Sequence, residues 1–112
     1  MPMTENYALT EPSRADIEAM LGPTLLEFGA PWCSHCRASQ PAIAQAFARY
    51  PGVRHLKIED GKGLPLGRSF KVKLWPTLVF LRDGKEVGRL VRTTDASEIS
   101  QEMERISRPL EA

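Results

Sequence analysis

A short, nearly continuous apolar stretch, TLLEFGA at residues 24–30, restricts the architecture of this chain more than any other segment. Gly22-Pro23 stands before it and Pro31 after it, so the stretch has the length of a strand and is too short for a helix. An apolar strand without alternating polar side chains is typical of a central strand that is covered on both faces. We therefore expect a sheet with helices packed on both sides.

The rest of the chain predicts an alternation of helices and strands around this central strand. The N-terminal part predicts a short strand at Tyr7–Leu9 and then a helix, capped by Thr10 or Ser13, that ends near Met20. Further elements are predicted in chain order: a helix from Ser34 to Tyr50, a strand over 53–59, a helical turn around Leu66 to Phe70, a hairpin of strands over 77–81 and 85–91, and a last helix capped by Thr94 or Asp95. This order gives an α/β domain with a mixed sheet between helices.

Length and charge exclude several classes of protein. The 112 residues are expected to form a single domain, 1–112, that buries a core without disulfides or metal, with residues 1–6 frayed. A net charge of +1 gives no attraction for nucleic acid or an anionic membrane surface, and no apolar run approaches the roughly 18 residues of a spanning helix. The N-terminal MPMTENYALTEPS lacks the basic and apolar regions of a signal peptide. We expect a cytoplasmic monomer.

Both cysteines lie in one motif, WCSHC at residues 32–36. They could form a redox-active dithiol, part of a metal site, or a structural pair. A structural zinc site needs four ligands, and His35 and His55 are the only histidines of the chain. A permanent disulfide is not expected in a reducing compartment. A redox-active Cys33–Cys36 pair, with no metal and no other cofactor, is therefore the favoured interpretation.

The predicted helix gives the two cysteines different roles. Cys33 falls at the helix start, where unpaired backbone N–H groups and the helix dipole favour a thiolate. Cys36 shares a helix face with Ile43 and Phe47 and is expected to point inward. We expect an exposed Cys33 to attack a substrate disulfide and a sheltered Cys36 to resolve the mixed disulfide.

The combined motifs resemble the thioredoxin family over roughly residues 7–107. The resemblance is carried by WCSHC after a buried strand, by Pro41 five residues beyond Cys36, and by WPT (75–77) at the start of a later apolar strand. It implies a thioredoxin fold, with a mixed central sheet flanked by helices on both faces, and thiol–disulfide exchange with protein substrates, recharged by an upstream dithiol reductant. A thiol oxidase or disulfide isomerase, and a non-catalytic redox-sensing or interaction domain, remain alternatives.

The resemblance also implies roles for residues around the dithiol. Glu27, the one charged residue in TLLEFGA, stands where the family has an aspartate that relays the proton of the resolving cysteine, and a contact with His55 is one option for it. An outward-facing Glu27 is the alternative. Trp32 is expected to pack beside the disulfide and line a docking surface, and a plain core tryptophan is the alternative. Pro76 is expected to be cis, with the N–H and C=O of Trp75 open to an extended substrate segment.

Several residues depart from the thioredoxin pattern. His35 replaces a proline of the family's Gly-Pro pair and is expected to tune the redox potential, while Ser34 is expected to help cap the helix. Gly29 stands where many thioredoxins have a second tryptophan, which leaves a thinner wall beside the site. Arg92 stands where the family usually has a glycine that lines the substrate groove. With Arg37 and Lys73 it forms either a basic rim for acidic partners or part of an ordinary solvated surface.

Overall fold

Helices and strands alternate through residues 3–108, the part of the chain that the computed structural model describes. The elements are α1 (Arg14–Glu18), β1 (Pro23–Gly29), α2 (Ser34–Arg49), β2 (Arg54–Glu59), α3 (Pro65–Ser69), β3 (Thr77–Arg82), β4 (Lys85–Val91) and α4 (Ala96–Ser107). The strands form one sheet in the order β2-β1-β3-β4, with β1 parallel to β2 and antiparallel to β3. The predicted α/β class and mixed sheet are confirmed.

Two apolar clusters explain why the β1 segment shows no alternation in the sequence. Leu25 belongs to a cluster formed with α2 and α4, while Leu26 belongs to a second cluster formed with α1 and α3. Both leucines are fully buried. Because successive side chains of a strand point to opposite faces, β1 must be apolar on both. The central position predicted for this strand is confirmed.

The chain before β1 differs from the prediction. Tyr7–Leu9 do not form a strand, although the Ala8 N–H donates a hydrogen bond to the Lys57 carbonyl at 2.8 Å. One main-chain bond holds this segment beside β2 without continuing it into a ladder. Helix α1 has Ser13 as its N-cap, so of the two predicted caps Ser13 is the correct one. Residues 1 and 2, which were expected to be frayed, lie outside the described residues.

The second half of the chain follows its predicted turns and caps. Asp83 and Gly84 have φ angles of 50° and 79°, and these values close a tight hairpin between β3 and β4. Asp95 is the N-cap of α4, where its side chain accepts a hydrogen bond from the Ser97 N–H at 2.8 Å. Ile99 and Met103 on α4 are fully buried against the sheet.

The fold brings the CxxC motif and the WPT motif to the same edge of the sheet. The C-terminal end of β1 leads through a short loop into α2, which starts immediately after Cys33. β3 runs antiparallel to β1, and Phe28 near the end of β1 is the register partner of Thr77 at the start of β3. Pro76 therefore lies beside the loop that carries the cysteines.

Candidate active site

Cys33 is the N-cap residue of α2. Its backbone is extended (φ −79°, ψ 117°), and its Sγ accepts a hydrogen bond from the Cys36 N–H at 3.1 Å. Both cysteines are free, so the site is in its dithiol form. Helix N-termini are positions at which cysteine thiolates are stabilised. Because the sulfur itself occupies the cap, the prediction that Ser34 caps the helix is wrong; Ser34 is the first helical residue and is exposed.

Both cysteines are more buried than the sequence indicated. Cys33 is 7% exposed and Cys36 is 2% exposed, so the expectation of an openly exposed Cys33 is wrong. Trp75 packs against the two cysteines, and its ring meets Trp32 edge to face with 5.3 Å between centroids. Trp32 itself is 69% exposed. The site thus presents an aromatic surface around a thiol that is largely covered.

The two sulfurs face different spaces. Cys33 faces an open groove of about 460 Å³, here called the Cys33 groove, which is lined by Trp32, Cys33, Ser34, His35, Lys73, Leu74, Trp75 and Arg92. Cys36 faces a cavity of about 50 Å³, here called the Cys36 cavity, which is lined by Tyr7, Ala30, Pro31, Cys36, Arg37, Gln40 and Lys57. The larger and more accessible space therefore lies on the side of Cys33.

Cys36 holds its proton strongly. Burial raises the pKa of Cys36 to about 12, and a hydrogen bond with Cys33 and the charges of Cys33 and Glu27 act in the same direction. The thiol is therefore neutral near pH 7, and it needs a base before it can attack a mixed disulfide.

Glu27 is fully buried and points into the protein, so the outward-facing alternative is wrong. Its Oε1 lies 2.9 Å from His55 Nε2, and its Oε2 accepts a hydrogen bond from Gln40 Nε2 at 2.8 Å. His55 Nδ1 accepts the Thr4 N–H at 2.8 Å. Since a backbone N–H can only donate, the imidazole proton must be on Nε2, which donates it to Glu27. The contact between Glu27 and His55 considered from the sequence is present.

Gln40 connects Glu27 to the helix that carries Cys36. The same Nε2 that donates to Glu27 also donates to the Cys36 carbonyl at 2.9 Å, while Gln40 Oε1 accepts from Lys57 Nζ at 3.2 Å. Glu27 and Lys57 are register partners on β1 and β2. Within residues 3–108 Glu27 makes no direct hydrogen bond to Cys36, and the Gln40 amide stands between the carboxylate and the helix.

The Tyr7 hydroxyl fills the space that Gly29 leaves beside Cys36. A Cβ placed on Gly29 would lie 2.6 Å from Cys36 Sγ and 3.0 Å from the Tyr7 hydroxyl oxygen. The side of the site at Gly29 was expected to be thinly covered, and Tyr7 of the N-terminal segment covers it. Burial raises the pKa of Tyr7, and electrostatic interactions with Cys36 and Glu27 and a hydrogen bond with Cys36 raise it further. The phenol stays protonated and able to donate to the Cys36 sulfur.

The main chain at the WPT motif is contacted by Arg92. The Trp75–Pro76 peptide is cis, as expected. The Arg92 N–H donates to the Pro76 carbonyl at 2.8 Å, and Arg92 Nε donates to the Trp75 carbonyl at 3.0 Å. The prediction that the Trp75 carbonyl is open to a substrate is thus wrong for this structure, because the side chain that replaces the usual glycine covers it.

The three basic residues considered as a rim do not line one space. Arg92 and Lys73 both line the Cys33 groove, whereas Arg37 lines the Cys36 cavity. Arg37 Nη1 donates to the Pro31 carbonyl at 3.3 Å, which turns its side chain toward the loop before Cys33. His35 is exposed and lines the Cys33 groove, and its effect on Cys33 stays a prediction.

A sequence profile described as Thioredoxin matches residues 10–105. The chain belongs to the thioredoxin family. The structure is similar to that of thioredoxin 2 from Pseudomonas aeruginosa PAO1 in its reduced form, with 52% identity, a TM-score of 0.83, and coverage of 94% of this chain and 97% of that chain. The predicted family and thioredoxin fold are confirmed. Membership and the CxxC spacing together support thiol–disulfide oxidoreductase activity.

Curated thioredoxins from a plant and a fungus are also similar to the chain. Thioredoxin H-type 1 from Nicotiana tabacum is 36% identical over 67 residues, which are 60% of this chain and 53% of that protein. Thioredoxin Asp f 28 from Aspergillus fumigatus is 27% identical over 86 residues, covering 77% and 80%. The chain spans about half the length of the tobacco protein and 49% of Thioredoxin H2-1 from Oryza sativa subsp. japonica.

Three residues of this thioredoxin-family site were missed in the sequence, namely Tyr7, Gln40 and Lys57. Lys57 could have been found from the sequence, because it lies two residues after His55 and so on the same face of β2. Gln40 falls one helical turn after Cys36 on α2. Tyr7 carries no local signal, since its position depends on how the N-terminal segment packs against β2.

Two kinds of feature do not occur among the residues that the structure describes. No group of three or more histidine, cysteine, aspartate or glutamate residues in 3–108 is placed to hold a metal ion. No helix in that range combines the length and apolar character needed to cross a membrane.

Proposed function

We propose that the protein is a thiol–disulfide oxidoreductase that reduces disulfides of protein substrates, with Cys33 as the nucleophile and Cys36 as the resolving thiol. One observation carries this proposal. The Cys33 sulfur caps α2, accepts the Cys36 N–H at 3.1 Å, and faces an open groove, while Cys36 lies behind it at 2% exposure. This arrangement separates the thiol that meets a substrate from the thiol that completes the exchange.

The reaction takes place in two exchange steps. The Cys33 thiolate attacks one sulfur of the substrate disulfide, the S–S bond breaks, and the first substrate thiolate leaves with the electron pair. Cys36 then loses its proton and attacks the Cys33 sulfur, and the second substrate thiolate leaves. The substrate gains two electrons and two protons and becomes a dithiol, while Cys33 and Cys36 become a disulfide. One proton comes from Cys36, and the other comes from solvent, which took up the Cys33 proton when the thiolate formed. An upstream dithiol reductant returns the two electrons, and no further cofactor is required.

Glu27 is proposed as the base for the second step. Because Glu27 makes no direct hydrogen bond to Cys36, the proton is proposed to pass through a water in the Cys36 cavity, whose volume of about 50 Å³ has room for one. A thiol with a pKa of about 12 needs a proton acceptor near pH 7, and Glu27 is the buried carboxylate whose charge acts on Cys36. His55 and Gln40 each donate to one oxygen of this carboxylate and hold it in place. The protonated Tyr7 hydroxyl is proposed to stabilise the Cys36 thiolate as it forms.

The Cys33 groove is proposed as the substrate-binding site. Trp32 and Leu74 provide exposed apolar surface beside the nucleophile, and they suit the side chains that flank a disulfide in an unfolded or extended segment. Trp75 lines the same groove, and its main-chain N–H is proposed to donate to a substrate backbone. The proposed working location is the cytoplasm, where thiols are kept reduced.

A second candidate function is net oxidation or isomerisation of protein disulfides. It is favoured by one observation, the exposed His35 in the groove beside Cys33. A cationic imidazole there would stabilise the Cys33 thiolate and make the Cys33–Cys36 disulfide a stronger oxidant.

The direction is tested by coupling the protein to two opposite assays. In the first, dithiothreitol reduces insulin disulfides in the presence of the wild type or of the Cys33→Ser and Cys36→Ser variants. In the second, the oxidised protein is mixed with a reduced, unfolded disulfide protein. Turnover in the first assay that both substitutions abolish supports the reductase. Turnover only in the second supports the oxidase, and rapid alkylation of Cys33 without turnover in either assay points to a sensor.

A further inference from the structure

Arg92 covers a main-chain acceptor at the centre of the Cys33 groove. Its Nε donates to the Trp75 carbonyl at 3.0 Å, and its own N–H donates to the Pro76 carbonyl at 2.8 Å. Both acceptors belong to the segment that runs past Cys33. A substrate strand that pairs with this segment therefore competes with the Arg92 side chain for the Trp75 carbonyl.

The conformation of Arg92 ties it to this position. Its φ of +56° lies in the left-handed region, where a side chain is disfavoured and glycine is accepted without strain. An arginine there is held by its contacts in the groove and not by the preference of its own backbone. Replacing it with glycine is accordingly expected to leave the local backbone unchanged.

The charge of Arg92 is not neutralised within the described residues. Among residues 3–108 no carboxylate forms an ion pair with Arg92 or with Lys73, which lines the same groove. A guanidinium has five N–H donors, and only the Nε donor of Arg92 is used on the Trp75 carbonyl. The two Nη groups remain as a planar, charged face that matches a carboxylate in a bidentate arrangement.

We propose that Arg92 is a carboxylate-sensitive gate that gives the enzyme a preference for disulfides with a nearby aspartate or glutamate. The substrate carboxylate binds the guanidinium and draws it from the Trp75 carbonyl. That carbonyl then accepts an N–H from the substrate main chain. A neutral substrate must break the same Arg92 hydrogen bond without gaining an ion pair. This inference rests on the proposed function, since it assigns a substrate class to the same groove.

The expected preference follows from the interactions that are exchanged. The bond to the Trp75 carbonyl has one charged partner, whereas a guanidinium–carboxylate pair has two and can form two parallel hydrogen bonds. The acidic substrate therefore gains more than it loses when it displaces Nε. Because Arg92 is exposed, we expect kcat/KM for an acidic peptide to exceed that for its neutral counterpart by about two- to fivefold.

The test uses two disulfide peptides that are identical except for a glutamate or a glutamine two residues from the reactive cysteine. The wild type is expected to prefer the glutamate peptide by about two- to fivefold. Arg92→Gly should remove this preference and increase the rate with the glutamine peptide. Arg92→Lys keeps the charge without the planar fork, and it should retain only part of the preference.

Arg49→Gln serves as the matched control. Arg49 is exposed at the C-terminal end of the 16-residue helix α2, about 24 Å along the helix from Cys33. The Arg49→Gln substitution removes one positive charge and should leave the preference for the glutamate peptide unchanged. A smaller preference in Arg49→Gln would mean that overall charge, and not the gate, selects the peptide.

The remaining outcomes separate the gate from the proposed function. Equal kcat/KM for the two peptides with the wild type, or an unchanged preference in Arg92→Gly, would overturn the gate and leave the reductase intact. Failure of the wild type to reduce either peptide would contradict the proposed function and, with it, the gate.

Discussion

The imidazole of His55 donates its Nε2 proton to Glu27 Oε1 over 2.9 Å, between two side chains that are completely buried. The tautomer is set by the Thr4 N–H, which occupies Nδ1. A buried carboxylate without donors would be strongly disfavoured, so His55 and Gln40 together make the position of Glu27 tolerable. The N-terminal segment, through Thr4, thereby contributes to the electrostatics under the dithiol.

Replacement of His55 tests this support directly. His55→Leu removes the donor to Glu27 while it fills a similar volume, and it should lower the free energy of unfolding by about 1–3 kcal/mol. His55→Gln retains an N–H donor and should lose less. Denaturant unfolding of the reduced proteins at pH 7 measures both. If the two variants were equally destabilised, the hydrogen bond to Glu27 would not be the cause.

Glu27→Gln separates attack from resolution. The substitution keeps the size of the side chain and removes the base, so formation of the mixed disulfide by Cys33 should keep nearly its normal rate. Attack by Cys36 should slow by about 10²-fold, the low end for loss of a general base. Stopped-flow fluorescence of Trp32 and Trp75, combined with acid quenching, resolves the two steps. An equal decrease in both rates would contradict the assignment of Glu27 as the base.

The raised pKa of Cys36 makes the stability of the reduced protein depend on pH. An unfolded cysteine titrates near 8.5, whereas the Cys36 pKa in the folded protein is about 12. The unfolded chain therefore loses this proton first as the pH rises, which favours unfolding. The contribution is complete below about pH 8.5 and disappears progressively toward pH 12.

The measurement is the free energy of unfolding of the reduced protein between pH 8 and pH 11. Cys36→Ser should show a shallower decline across this range, because serine does not titrate there. Tyr7→Phe should also show a shallower decline, since the Tyr7 pKa is raised by burial. A stability that is constant or increases over the same range would contradict both assignments.

Gly29→Ala tests the close contact beside Cys36. The added Cβ would lie 2.6 Å from Cys36 Sγ and 3.0 Å from the Tyr7 hydroxyl oxygen, closer than atoms pack, so Cys36 or Tyr7 must move. We expect a loss of about 1–3 kcal/mol and slower resolution by Cys36.

Gly52→Ala is the control for that substitution. A Cβ on Gly52 would meet no atom within 4 Å, and the change in unfolded-chain entropy is shared by both variants. Equal unfolding free energies for the two alanine variants would mean that a Cβ fits at Gly29 without displacing Cys36 or Tyr7.

The sequence predicts the parts of this structure that depend on local patterns. The apolar run over 24–30 predicts β1, because a strand that is buried on both faces has an apolar local composition. Asp83-Gly84 predicts the hairpin, because these residue types are favoured at the left-handed positions of a tight turn. The position of Cys33 at the start of α2 follows from the strand-to-helix junction in the same way. These features need no information from distant residues.

The contacts that give the site its chemistry are long-range and could not be predicted in this way. Tyr7 contacts Cys36 from the N-terminal segment. Thr4 sets the tautomer of His55, which lies 51 residues later in the chain. The Arg92 bond to the Trp75 carbonyl spans 17 residues and depends on the rotamer of one long side chain. Such contacts are decided by packing, and packing leaves no periodic signal in the sequence.

Trapping the mixed disulfide tests the central claim most directly. Reduced Cys36→Ser protein is mixed with a disulfide substrate, quenched with acid, and mapped by mass spectrometry. We predict a stable adduct on Cys33, because the thiol that would release it is missing, and no adduct with Cys33→Ser under the same conditions. An adduct that forms readily on Cys36 in the Cys33→Ser protein, with none on Cys33 in the Cys36→Ser protein, would contradict the assignment of nucleophile and resolving thiol.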